Sequence, residues 1–81
     1  MDIDLIFYTA MEKVTGLSQE DFKDYQDVNL LNSAILDSLS IVGLLKEISA
    51  MTGKNLKMDS FSLNDFKDIK TLCSVIKSLL A

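Results

Sequence analysis

The chain has 81 residues, 48% of them hydrophobic and 25% charged, with a net charge of −4 and no histidine, tryptophan or proline. That length and composition describe one small domain, 1–81, with apolar residues enough for one core and no run near the ~18 needed to span a bilayer. Without histidine there is no serine–histidine or cysteine–histidine nucleophile pair, and a single cysteine leaves no ligand set for zinc or iron.

The charge is uneven. Residues 1–40 hold eight acids against two lysines, and residues 41–81 hold four acids against six lysines, so −6 and +2 make up the −4. Such a chain lacks the basic stripe that neutralises phosphates, so nucleic acid is not an expected partner. The lone cysteine cannot form an internal disulfide, and the opening MDIDLIF is acidic where a secretory signal is basic. A reducing, cytoplasmic setting and a monomer are expected.

Ile3, Ile6, Phe7, Ala10, Met11 and Val14 follow the i, i+3, i+4, i+7 spacing, which predicts a first helix from about Asp4 to Thr15. Asp2 or Asp4 can cap it, and Gly16 can end it in a left-handed turn. The connection Leu17–Leu36 is long. Within it, Ser18-Gln19-Glu20-Asp21 reads as a cap and a short helical turn ending near Phe22. Tyr25, Val28, Leu30, Leu31, Ile35 and Leu36 are expected to pin the rest to the core.

A second helix is expected from Ser38 to about Met51, with Asp37 as N-cap and Gly53 as its stop. Ile41, Leu44, Leu45 and Ile48 fall in one stripe, the core face. Leu39 and Val42 lie outside that stripe with Lys46 beside them, an apolar patch that core packing does not require. Gly43 costs about 1 kcal/mol relative to alanine inside a helix; close packing against a neighbour and a flat spot for a partner both account for it. Ser38 then sits at a helix mouth, where backbone N–H groups and the helix dipole favour a phosphate; serine is also favoured there simply as a cap.

After a polar connection carrying Leu56, Met58, Phe61, Leu63 and Phe66, Ser62 and Asp65 form a capping-box pattern that predicts a short third helix or single turn near Ser62–Phe66. Asp68 caps a last helix ending near Leu80, with Ile69, Leu72, Cys73, Ile76, Leu79 and Leu80 on one face. Cys73 reads as a buried small hydrophobe.

Leu36-Asp37-Ser38-Leu39, followed by Val42, Leu44 and Leu45, resembles the signature around the phosphopantetheine-bearing serine of the acyl carrier protein family. Total length, a serine just before mid-chain, the long preceding loop and the acidic balance agree with a free-standing member. The resemblance implies an all-α four-helix carrier-protein bundle with a long first loop and a short third helix. It implies that a phosphopantetheinyl transferase attaches the 4'-phosphopantetheine of coenzyme A to Ser38, with Asp37 a contact for the transferase or its metal. The chain would then be no enzyme, but a carrier holding acyl groups as thioesters and delivering them to acyl-loading and acyl-processing enzymes, with Leu39, Val42 and Lys46 as the contact residues.

Two departures mark this chain. Ala34 stands where family members usually have glycine, which implies a slightly different turn before Asp37. Glu47 is the one acid in a helix that carries several in fatty-acid carriers, which points to a specialised pathway. Ile35-Leu36-Asp37-Ser38 looks closer to D-alanyl and peptidyl carriers, so an aminoacyl cargo is the alternative within the family. The alternative of another class is an unmodified helical interaction module using Leu39 and Val42 as anchors.

Overall fold

The computed structural model describes residues 2–81, whose regular elements are all helical, with no strand among them. Helix α1 spans Ile3–Thr15, a single turn α2 spans Gln19–Phe22, α3 spans Ser38–Thr52 and α4 spans Ile69–Leu80. Short 3-10 turns occupy Lys23–Tyr25, Met58–Ser60 and Leu63–Phe66.

The starts follow from their caps. Asp2, Asp37 and Asp68 each accept the backbone N–H three residues on, from Leu5 at 3.1 Å, Ser40 at 2.8 Å and Thr71 at 2.7 Å. Each cap also puts a negative charge at the positive end of a helix. The stops are Gly16 and Gly53, both left-handed, at φ 75° and 74°. Asp2 is therefore the first cap, and α1 begins one residue earlier than the apolar spacing suggests.

The apolar faces of α1, α3 and α4 close on one core. Phe7 and Met11 from α1 meet Ile41, Leu44 and Ile48 from α3 and Ile69, Leu72 and Ile76 from α4. Helix α1 lies along α3, where a side chain on Gly43 would bring a Cβ to 3.3 Å from Val14 Cγ1. Close helix packing therefore accounts for Gly43. Cys73 is buried as expected, but Leu79 is exposed and does not join the α4 core face.

The long first loop is anchored by backbone as well as side chains. Leu30 and Leu36 are fully buried; the Leu30 N–H donates to the Phe66 carbonyl at 3.0 Å, and the Leu36 N–H to the Leu30 carbonyl at 2.9 Å. The Asn29 side chain accepts from the N–H groups of Leu31 and Asn32. Leu31, Ile35 and Val28 are half-buried, whereas Tyr25 is exposed. Ala34 has φ 63°, so it holds the left-handed turn that glycine adopts more readily. Alanine therefore bears the strain of a left-handed position before Asp37.

The short third helix takes the form of a single turn. The Ser62–Asp65 capping box forms, with the Ser62 N–H donating to Asp65 Oδ2 at 2.8 Å, but it starts a 3-10 turn rather than an α-helix. A single turn of 3-10 geometry is a common form for so short a piece.

Candidate functional site

Leu36, the buried end of the loop, fixes where the chain enters α3. Asp37 follows in an extended conformation and Ser38 is the first residue of the helix. The Asp37 carboxylate is engaged by Ser40, whose backbone N–H and then hydroxyl hold it below the usual carboxylate range. It is a charged cap, directed at Ser40 rather than set up as a base for Ser38. Ser38 itself is exposed.

The side chains beyond Ser38 divide as the helical spacing implies. Ile41, Leu44, Leu45 and Ile48 are buried, while Leu39 is 83% exposed and Val42 44%. Lys46 is exposed too, and among the described residues it pairs with no carboxylate. Glu47, the one acid of α3, is turned to α1, where Lys13 reaches it at 3.3 Å.

Two apolar depressions flank this stretch. Ser38 borders one of about 300 Å³, walled by Leu31, Ile41, Met58, Phe61, Leu63 and Phe66 and bearing no charged side chain. A second, of about 230 Å³, lies between Val42, Leu45, Lys46, Ser49 and the segment Asn55–Met58. That segment is fastened to α3 by the Leu56 N–H, which donates to Ser49 Oγ at 2.9 Å. Met58 borders both depressions. Met58 is 45% exposed and Leu63 80%. With Leu39 and Val42 they make a discontinuous apolar surface around Ser38.

Met58, Phe61 and Leu63 belong to this surface, although in the sequence they are isolated apolar residues in a polar connection. They follow neither period, so no stripe identifies them. The available signal was compositional: several large apolar side chains in a segment too short to bury them all.

Away from Ser38 in the chain, on α1 and α4, Asp4, Cys73 and Lys77 form a second cluster. Lys77 Nζ lies 2.8 Å from Asp4 Oδ1 and the Cys73 thiol donates to the same oxygen at 3.3 Å. The Lys77 and Cys73 contacts lower the Asp4 pKa, while burial, then the Asp4 carboxylate, push the thiol up to about 11. At neutral pH this is an unreactive thiol.

Among the described residues no group of histidine, cysteine, aspartate and glutamate side chains is placed to hold a metal ion. No helix of the described residues is long and apolar enough to cross a membrane. No protein-family model, curated protein or solved structure gave a significant match to the chain.

Proposed function

We propose that the chain is a non-catalytic carrier protein in which Ser38 takes 4'-phosphopantetheine from coenzyme A and presents acyl cargo to the enzymes of a specialised pathway. The observation that carries this reading is the placing of Ser38: exposed, first in a 15-residue helix, between the capping Asp37 and a bare Leu39, and bordering an uncharged apolar depression.

The residues present suit the group. Ser38 supplies an accessible primary hydroxyl, and the first turn of α3 favours a phosphodiester charge beside it. Asp37 is held ionised by Ser40 and stands next to the reacting position, where it can face a cation brought by a transferase. The chain has no histidine to act as base. Ser38 Oγ forms a P–O bond to the pantetheine-side phosphorus of coenzyme A. The bridging P–O bond breaks, the adenosine bisphosphate half leaves, and the hydroxyl proton passes to a base of the transferase. Once attached, the group supplies a terminal thiol on a flexible arm that carries cargo as a thioester. The uncharged walls next to Ser38 favour an acyl over an aminoacyl cargo.

The test is incubation with coenzyme A, Mg²⁺ and a phosphopantetheinyl transferase of broad specificity, followed by peptide mapping. The group is expected on the peptide containing Ser38, with Ser38→Ala folded and unmodified. Modification at Ser33 or Ser40, or persistence in Ser38→Ala, would overturn the assignment.

A further inference from the structure

We infer that the depression between Val42, Lys46 and Met58 receives an apolar side chain of a protein partner whose surrounding surface is acidic. The inference rests on the carrier reading for what the partner does, and on the geometry alone for how it docks.

Shape and charge point the same way. The depression is concave, about 230 Å³, floored by Leu45 and Leu56 and bounded by Val42 and Met58. One charged side chain, Lys46, lines it. The flanking chain adds Lys54 and Lys57, both exposed and each next in sequence to a lining residue. From Val42 to Met58 there are three lysines and one acid, Glu47, and Glu47 is turned to Lys13 of α1. Along the chain, the exposed acids next to this stretch are Asp59, beside Met58, and Asp37, at the start of the helix. A chain of net charge −4 therefore presents a locally basic rim around its apolar depression. A basic partner surface would meet like charge there, which disfavours docking, whereas an acidic one gains in encounter rate and register. Concavity favours a protein, since an inserted side chain fills a pocket that a flat bilayer surface leaves empty. The net negative charge also opposes anionic lipid.

The experiment is an NMR titration of the full chain with two helical peptides that share the same leucine anchors, one flanked by glutamates and the other by lysines. The glutamate peptide is expected to shift the amides of Val42, Lys46, Asn55 and Met58. It should bind about tenfold more tightly than the lysine peptide at low salt, a difference that shrinks as salt screens it. Lys46→Glu/Lys57→Glu, which alters only exposed side chains, should reverse the preference. Equal or tighter binding of the lysine peptide, shifts centred elsewhere, or no shift with either at about 1 mM would overturn the proposal. So would the same shifts on vesicles of phosphatidylserine and phosphatidylcholine, which would assign the surface to a membrane. Failure here leaves Ser38 modification, read by mass, unaffected. Failure of Ser38 modification leaves the docking chemistry to be judged by the shifts.

Discussion

Ala34 shows how a single residue can carry strain in a turn. At φ 63° its Cβ crowds the backbone, a cost of about 1 kcal/mol that glycine does not incur. Ala34→Gly is expected to raise stability by up to about 1 kcal/mol, the gain being reduced by glycine's freer unfolded chain. Denaturant unfolding measures it, and a clear loss would contradict the strain. At Leu39 the opposite holds. It is 83% exposed, so Leu39→Ala should change stability by no more than about 0.5 kcal/mol while weakening partner binding. Unfolding together with a partner-binding titration separates the two effects. The composition and motif made Ser38, Asp37, Leu39 and Val42 legible as candidates because helical spacing alone decides which side chains α3 leaves bare. Met58, Phe61 and Leu63 were not legible, because only the folding of an aperiodic segment back onto α3 brings them beside Ser38.

At the scale of elements, caps and stripes gave helix positions to within a residue or so, since Asp2, Asp37 and Asp68 are strong local signals. What local signals could not decide was the form of Leu63–Phe66, where the capping box fits a 3-10 turn as well as an α-helix, and the exposure of Leu79 and Tyr25, which depends on what packs over them. The first loop depends on Leu30, fully buried and bonded through its N–H to Phe66. Leu30→Ala should cost about 3 kcal/mol, within the range for a buried leucine, and should loosen the entry to α3. Unfolding by denaturant gives the cost, and a change below about 1 kcal/mol would mean that the loop is not held through this side chain.

For the whole molecule, the titrating groups set the pH range. Asp4, Asp37 and Asp68 all have lowered pKa values in the folded state, so the unfolded chain binds protons more readily at each. Their stabilisation is present above the ordinary value of 3.8 and is lost as pH falls below it. Cys73 acts at the other end. Its thiol is raised from 9.0 to about 11, so the unfolded chain ionises first, and stability declines as pH rises through that interval. Thermal melts across pH should show a plateau between these limits. Cys73→Ser should flatten the alkaline limb, and an unchanged limb would place that loss elsewhere.

The central claim is that this bundle exists to present Ser38 for modification. Intact-protein mass spectrometry after incubation with coenzyme A, Mg²⁺ and a phosphopantetheinyl transferase tests it most directly. The account predicts a gain of one phosphopantetheine in the native chain and none in Ser38→Ala. No gain with several transferases acting on a folded chain would contradict it and leave an unmodified interaction module built on Leu39 and Val42.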